Sequence, residues 1–334
     1  MKDPAELIKR FKSRVHVLDG GLATELEKRG HDISGKLWSA QVLLENPDAI
    51  EQLHYDYLKA GADIIITSSY QLTFQGMKEA GYTHEQAEDA FNKSVEVAVK
   101  ARERYLAELD QDLPEDRKPL IAASIGPYGA YLADGSEYTG DYPSLLQLTY
   151  QEFVDKFLDF HEDRFKLLHE SEADLFALET IPSTDEAEAL MCLLEKYPTA
   201  PAWISFACKD KEHVVDGGDI EVQSFECTVV ENLVAFGVNC SAPSNVTGLV
   251  NTSFPRCSQP KHGQAGPTTP IIAYPNSGEG WDAAHRCWVG ENDAEHFAEH
   301  AREWIKAGAN IIGGCCRTGP EHIAQLRALV DSMT

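Results

Sequence analysis

The sequence is poor in basic residues, with 29 Lys and Arg against 54 Asp and Glu, which gives a formal net charge of −25. Such a surface repels phosphate backbones and anionic lipids, so we expect neither a nucleic-acid partner nor membrane binding. It also lacks an apolar run near the ~18–20 residues that a membrane-spanning helix requires. Residues 1–7 contain no apolar signal-peptide core, so a cytoplasmic location is predicted.

Two further absences limit the kinds of cofactor and metal site that the sequence predicts. No Gly-x-Gly-x-x-Gly motif or phosphate-binding loop occurs, which argues against a nucleotide cofactor. The twelve histidines form no metal-spacing pair with cysteines, and five of them in helical patterns are predicted to lie on the surface: His54, His161, His169, His296 and His300. Without a secretion signal, the eight cysteines are expected to be thiols or metal ligands rather than a disulfide framework.

Three of those cysteines follow two apolar, strand-like runs. Cys240 ends one run, and the adjacent Cys315 and Cys316 end another. Neighbouring strand residues point to opposite faces, so Gly313 and Gly314 are expected to permit the bend that brings both thiols to one metal. Three thiolates with an open fourth position are typical of catalytic zinc. From spacing alone, buried core cysteines or a vicinal disulfide are alternatives, and thiolates of an open site are also easily oxidised.

Eight short apolar runs alternate with helical patterns along the whole chain. The runs are 15–19, 63–67, 120–125, 175–179, 202–207, 234–240, 271–274 and 310–314. The helical stretches between them include 47–60, 83–109, 145–170, 184–196 and 291–307. Repeated strand and helix predict an α/β fold, a (β/α)8 TIM-type barrel forming a single domain over residues 1–334, with an open doubly wound sheet as the alternative. Two polar insertions, near 110–118 and 251–270, are predicted to be surface loops.

Polar or glycine-containing segments follow most of these runs. In a barrel they meet at the carboxyl-terminal rim, where barrel enzymes carry their active sites. The segments are Asp-Gly-Gly (19–21), Thr-Ser-Ser-Tyr-Gln (67–71), Ser-Ile-Gly-Pro (124–127), Glu-Thr-Ile-Pro (179–182), Gly-Val-Asn-Cys (237–240), Tyr-Pro-Asn-Ser-Gly-Glu (274–279) and Gly-Gly-Cys-Cys-Arg-Thr (313–318).

Together with Glu-Tyr-Thr-Gly-Asp-Tyr (137–142), these segments resemble the homocysteine S-methyltransferase family over nearly the whole chain. The resemblance implies a zinc-bearing barrel that moves a methyl group onto the sulfur of homocysteine. Segments 137–142 and 274–279 are similar to the branch that uses S-methylmethionine. It also implies one Zn2+ per chain, held by Cys240, Cys315 and Cys316.

The resemblance assigns the remaining site residues as substrate-binding. Asp19 and Glu179 are implied to hold the α-amino group of homocysteine, which three charge-assisted hydrogen bonds can satisfy. The set further includes Gly20, Gly21, Thr67, Tyr70, Gln71, Asn239, Asn276, Ser277, Gly278 and Glu279. Among these, Asn239 is expected to orient the ligand Cys240. Local sequence alone also fits a turn at Asp19, a turn at 276–279 and a core aromatic at Tyr70.

The expected reaction is methyl transfer from a sulfonium donor, most simply S-methylmethionine, to the zinc-activated thiolate of L-homocysteine, which gives methionine. Alternatives are the same barrel with S-adenosylmethionine or betaine as donor, or with selenocysteine as acceptor. A barrel that binds zinc or an amino acid without catalysis is a further alternative. Small-molecule substrates are the expected partners, and the chain is expected to be a monomer or a homodimer.

Overall fold

The computed structural model describes residues 1–35, 37–142, 148–257, 268–282, 287–289 and 293–333. Its strands are β1 His16–Val17, β2 Ile64–Ile66, β3 Leu120–Ile125, β4 Leu175–Ile181, β5 Ala202–Phe206, β6 Leu233–Asn239, β7 Ile271–Tyr274, β8 Gly280–Asp282, β9 Cys287–Val289 and β10 Ile311–Ile312. All but β8 and β9 form one parallel sheet. β8 and β9 form a separate antiparallel pair.

The parallel sheet is closed. Its strand order is β1-β10-β7-β6-β5-β4-β3-β2, and a parallel bridge between Leu18 and Ile64 joins the two ends. The amide of Asp19 donates to Ile64 O at 3.0 Å, and the amide of Asp63 donates to Val17 O at 2.7 Å. The (β/α)8 barrel prediction is therefore confirmed, and the open doubly wound sheet is excluded.

Thirteen α-helices lie among the described residues. They are α1 Pro4–Ser13, α2 Leu22–Lys28, α3 Ser39–Glu45, α4 Pro47–Ala60, α5 Phe74–Glu79, α6 His84–Ala107, α7 Tyr128–Leu132, α8 Tyr150–His169, α9 Thr184–Lys196, α10 Ile220–Thr228, α11 Pro243–Cys257, α12 Ala294–Ala307 and α13 Pro320–Met333. Capping boxes at Thr83 and Thr149 fix the starts of α6 and α8. Left-handed Gly61 and Gly308 end α4 and α12. None of these helices is long and apolar enough to cross a membrane.

The barrel strands are almost completely buried on both faces, as a parallel sheet covered by helices requires. Alternate residues divide between two cores: Leu120 and Ala122 face the barrel interior, whereas Ile121 and Ala123 pack in the core beneath the helices. Helix α1 contributes apolar residues, including Phe11, to the interior cluster. It therefore closes the amino-terminal end of the barrel, and the opposite rim is left to carry the site.

Some details differ from the predictions. His54 and His161 are completely buried rather than on the surface, because His54 shares the inner face of α4 and His161 Nε2 lies 2.8 Å from the buried Glu186 Oε1. The insertion at 110–118 is surface-exposed and contains the 3-10 helix Glu115–Arg117. The second insertion begins later than predicted, because residues 251–257 complete helix α11. Its residues 258–267 lie outside the described residues.

Candidate active site and metal centre

The three predicted metal ligands lie together on the rim. Cys240 follows β6, Cys315 and Cys316 follow β10, and β7 lies between these two strands. All three Sγ atoms lie within 4.8 Å of one another, and all three residues are partly buried. Within the described part of the chain, this is the one cluster of Cys, His, Asp or Glu side chains gathered closely enough to hold a metal ion.

Cys240 and Cys315 form a disulfide in this structure, whereas Cys316 is a free thiol. The eight cysteines were expected to be thiols or metal ligands, and oxidation of an open thiolate site was allowed for. The physical reason for the disulfide is proximity: thiols brought together as metal ligands are also within reach of oxidation. Burial raises the pKa of the free Cys316 thiol to about 11, so this group is held as a neutral thiol when no cation lies beside it.

The bend at the ligands arises differently from the prediction. Left-handed backbone occurs at Cys240 (φ 46°) and Arg317 (φ 66°) and not at the two glycines before Cys315. Gly313 and Gly314 are instead required by close packing. A Cβ on Gly313 would lie 2.6 Å from Leu18 Cβ, and a Cβ on Gly314 would lie 2.1 Å from the Thr318 hydroxyl.

Asn276 links the two ligand loops. Its Oδ1 accepts a hydrogen bond from the amide of Cys316 at 3.2 Å, and its Nδ2 donates to the carbonyl of Cys240 at 3.3 Å. The amide of Ser277 also donates to Cys316 O at 3.1 Å. Residues 276–279 are therefore part of the ligand-holding structure and not only a turn, with Gly278 left-handed at φ 115°. Glu279 forms an ion pair with Arg317 at 3.1 Å.

Glu179 lies below the cysteines, at the carboxyl end of β4, and is 7% exposed. Its carboxylate accepts hydrogen bonds from the Ser124 hydroxyl and, at 3.3 Å, from the Tyr274 hydroxyl. Both donors are neutral, so burial prevails and raises the pKa of Glu179 to about 7. A cation bound beside Glu179 would therefore stabilise its ionised carboxylate.

Asp19 ends the first barrel strand and is 3% exposed. Its Oδ2 accepts from the amide of Ile66 at 2.7 Å, but Oδ1 has no hydrogen-bond partner among the described residues. Burial, reinforced by the charge of Glu179, raises the pKa of Asp19 well above its ordinary value. Two buried carboxylates that influence one another across the rim create a site suited to an ammonium group.

Gly20 and Gly21 allow the loop beside Asp19 to lie against the second ligand loop. A Cβ on Gly20 would lie 2.5 Å from Thr318 O, and one on Gly21 would lie 2.3 Å from Cys315 O. The amide of Gly21 donates to Thr318 O at 2.9 Å. These contacts give both glycines a packing role at the site, which any side chain would disrupt.

The segment after β2 contributes three further predicted residues. Thr67 Oγ1 accepts from the amide of Ser124 at 3.0 Å, which ties β2 to β3. Burial raises the pKa of the Tyr70 hydroxyl well above its ordinary value, and the charges of Glu137 and Glu179 add to the shift, which places this hydroxyl near the site. Gln71 Nε2 donates to Ala130 O in helix α7 at 3.2 Å, while its buried Oε1 has no hydrogen-bond partner among the described residues.

Several residues of the site were not predicted. Ser124, Tyr274 and Thr180 all occur in the quoted motifs, yet only the structure shows that they contact Glu179, Asn239 or Cys240. Glu137 and Tyr138 also lie here, since the Cys316 sulfur, burial and the charge of Glu137 together raise the pKa of the Tyr138 hydroxyl well above its ordinary value. The motif at 137–142 was the available signal, but it did not reveal which side chains point inward.

The cysteine cluster fits a zinc ion. Three sulfur donors on the barrel rim, without a fourth protein ligand among the described residues, match the donor type and open coordination that catalytic zinc requires. The nearby buried carboxylates are acceptors without cations, which suits an amino-acid substrate beside the ion.

Comparisons with known proteins show which family the chain is similar to. A family model described as homocysteine S-methyltransferase matches residues 16–330. Homocysteine S-methyltransferase 2 of Zea mays is 46% identical over 324 residues, covering 94% of this chain and 89% of the relative. Selenocysteine Se-methyltransferase of Brassica oleracea var. italica is 43% identical over 319 residues, covering 92% and 86%.

Two solved structures of the homocysteine methyltransferase MmuM from Escherichia coli are also similar. The oxidized form has a TM-score of 0.81 and 40% identity, covering 96% of this chain and 99% of that chain. The metallated form has a TM-score of 0.81 and 40% identity, covering 98% and 99%. That protein is thus known in both an oxidized and a metallated form.

Proposed function

Because this chain belongs to the homocysteine S-methyltransferase family, we propose that it transfers a methyl group from S-methylmethionine to the sulfur of L-homocysteine. The observation that carries the proposal is the gathering of three cysteine sulfurs within 4.8 Å, beside two buried carboxylates on one barrel rim. Membership in a family of enzymes removes the alternative of a barrel that binds zinc without catalysis.

Cys240, Cys315 and Cys316, once reduced, would hold a single zinc ion. A homocysteine thiol has an ordinary pKa of about 8.5, so little thiolate exists at neutral pH. Bound zinc supplies a positive charge that favours the thiolate of the acceptor. Asn276 keeps the two ligand loops in register, because its side chain contacts the backbone of both.

Asp19 and Glu179 would bind the α-ammonium group of homocysteine. Asp19 Oδ1 is buried without a partner, and Glu179 has only neutral hydrogen-bond donors, so both gain from a cation. An ammonium group held there places the rest of the amino acid along the rim, towards the cysteines. This positioning lowers the entropic cost of bringing the acceptor sulfur to the donor methyl group.

In the transfer step, the homocysteine thiolate forms a bond to the methyl carbon while the bond from that carbon to the donor sulfur breaks. The departing sulfur keeps the electron pair and becomes a neutral thioether, so S-methylmethionine and homocysteine both become methionine. The thiol proton leaves for solvent when the acceptor binds. Positive and negative charge are annihilated, so excluding water from the site favours the reaction.

A second acceptor follows from one of the relatives. A selenocysteine methyltransferase is 43% identical to this chain, and a selenol is a soft nucleophile of the kind that a thiolate-rich zinc site accommodates. We therefore include selenocysteine as a candidate acceptor. Homocysteine is preferred because the matching family model is the one described for it.

The test is a comparison of donors with reduced, zinc-loaded protein. S-methylmethionine, S-adenosylmethionine and betaine are each supplied with homocysteine, and methionine formation is measured. Production of two methionines per S-methylmethionine consumed, at the highest kcat/KM of the three donors, supports the proposal. A higher kcat/KM with either other donor overturns the donor assignment. Running the same series with selenocysteine ranks the acceptors.

A further inference from the structure

A buried carboxylate beside the metal ligands is not used by the function proposed above. Glu137 lies in the 3-10 helix Ser136–Tyr138 and is only 3% exposed. Its Oε2 has no hydrogen-bond partner among the described residues, and no lysine or arginine there forms an ion pair with it. Burying a carboxylate without a cation is costly, so a structural role alone does not account for it.

Glu137 faces the same space as the rest of the site. Its negative charge acts on both the Cys316 thiol and the Tyr70 hydroxyl, and the charge of Glu179 acts on the same two groups. Glu137 is delivered by the segment between β3 and α8, whereas Glu179 ends β4. The two carboxylates therefore approach Cys316 from different elements of the rim.

The backbone of Glu137 is fixed by close packing. A Cβ on Gly129, in helix α7, would lie 2.5 Å from the amide nitrogen of Glu137. Helix α7 is held in turn by the amide of Tyr128, which donates to the buried Glu186. The position of the backbone that carries this buried, unpartnered carboxylate is therefore built into the fold.

Tyr138, the next residue, places its hydroxyl near a candidate metal ligand. The Cys316 sulfur is the leading cause of the raised pKa of that hydroxyl, while 45% of the residue is exposed. An aromatic ring whose hydroxyl lies near Cys316 and which is partly open to solvent is well placed to contact a positively charged molecule entering the site. Glu137 and Tyr138 thus offer a carboxylate and a ring at the entrance, next to Cys316.

Methyl transfer between two amino acids requires the site to hold two α-ammonium groups at once. Asp19 and Glu179 are assigned above to the acceptor. We propose that Glu137 binds the α-ammonium group of the methyl donor, with the Tyr138 ring against the donor's sulfonium group. This inference rests on the proposed function and deepens it: the site selects sulfonium donors that are themselves α-amino acids, and it discriminates against donors without a primary amino group.

The experiment compares Glu137→Gln with wild type in the reduced, zinc-loaded state. Two donors are used: S-methylmethionine and dimethylsulfoniopropionate, which has the dimethylsulfonium and carboxylate groups but no amino group. Loss of a charge-assisted contact should raise the KM for S-methylmethionine about ten- to a hundred-fold. The KM for homocysteine and the kcat/KM for dimethylsulfoniopropionate should be unchanged, so the selectivity between donors falls.

Asp141→Asn is the matched control, because it removes the same charge from an exposed residue of the same segment. It should leave both KM values and the donor selectivity at wild-type levels. Glu137→Asp keeps the charge but withdraws it by one methylene group, and it should give an intermediate KM for S-methylmethionine. Thermal melting followed by circular dichroism checks that each variant is folded.

Three results would overturn the assignment. A rise in the KM for homocysteine would place Glu137 in the acceptor pocket. An equal loss of kcat/KM with both donors would mean that Glu137 has a structural role. No change in any of these values would mean that Glu137 does not contribute to donor binding. Titration calorimetry of S-methylmethionine separates this inference from the proposed function. Wild-type binding without turnover, weakened in Glu137→Gln, would leave the assignment intact while the proposed reaction fails. Absence of wild-type binding would sink both.

Discussion

Thr180 and Asn239 bind each other through two hydrogen bonds across the barrel. The amide of Thr180 donates to Asn239 Oδ1 at 2.8 Å, and Asn239 Nδ2 donates to Thr180 Oγ1 at 2.7 Å. Thr180 follows Glu179 and has a left-handed backbone at φ 60°, while Asn239 precedes Cys240. The pair therefore links Glu179, the proposed ammonium-binding carboxylate, to Cys240, a candidate metal ligand.

Replacement of Asn239 by alanine should damage both stability and metal binding. It leaves the buried amide of Thr180 without an acceptor, so the free energy of unfolding should fall by about 1–3 kcal/mol. Zinc affinity should fall about 10–100-fold, because Cys240 loses its neighbouring support. Urea denaturation and competition with a zinc chelator measure the two effects. Thr180→Val is the control: it retains the amide donor and should lose less stability than Asn239→Ala.

Cys316→Ser should abolish methyl transfer and leave the barrel folded. The metal site is on the rim, whereas the apolar core lies within and around the strands. Zinc content, methionine formation and the circular dichroism melting curve are measured together. The exposed Cys192→Ser is the matched control and should retain zinc and activity. Global unfolding of Cys316→Ser would instead identify the zinc as structural.

Oxidation should switch the site off reversibly. The disulfide between Cys240 and Cys315 removes two of three candidate ligands, so oxidised protein should bind no zinc and transfer no methyl group. Treatment with a phosphine reductant followed by zinc should restore both. Peptide mass spectrometry identifies the bonded cysteines, and zinc content is measured before and after reduction. Full zinc occupancy with the disulfide intact would contradict this prediction.

Glu179→Gln should discriminate between acceptors with and without an amino group. With homocysteine, loss of the charge should cost about 1.5–3 kcal/mol, or roughly ten- to more than a hundred-fold in kcat/KM. With a simple alkanethiol, which has no ammonium group to bind, the change should be small. Asp19→Asn should show the same pattern. Equal losses with both acceptors would mean that Glu179 serves the metal or the fold.

The pKa of Glu179 also predicts a pH dependence of stability. Burial raises this pKa from an ordinary value of 4.5 to about 7. Between these values the folded protein keeps a proton that the unfolded chain releases, so stability should fall as pH rises, by about 3 kcal/mol in all. Urea denaturation of the substrate-free protein at several pH values tests this. The decline should be smaller in Glu179→Gln and unaltered in the exposed control Glu170→Gln.

The barrel was predictable because its signal is repeated and local. Each buried strand and each amphipathic helix is recorded in a short stretch of sequence, and the position after a strand suffices to place Asp19, Glu179 and Cys240 on one rim. The prediction of His161 as a surface residue failed for the opposite reason. Its partner, Glu186, lies on the next helix, and no local pattern records that pairing.

The site was predictable in its membership but not in its contacts. Gln71 was expected at the substrate, but the sequence did not show that its Nε2 donates to Ala130 O or that its buried Oε1 has no partner among the described residues. Glu137 was present in a recognised motif, but its burial depends on the packing of its segment against Gly129. Such orientations are decided by non-local packing, which strand and helix periodicity do not encode.

The closure of the barrel between β1 and β2 has a consequence for substrate entry. Only a short ladder around Leu18 and Ile64 joins these strands, and Asp19 is the next residue. The proposed amino-acid site thus lies beside the junction that closes the barrel, where one isolated bridge joins the ends of the sheet. An ammonium group bound between Asp19, two residues after β1, and Glu179 on β4 would fasten that junction, so homocysteine would complete the barrel wall as well as occupy it.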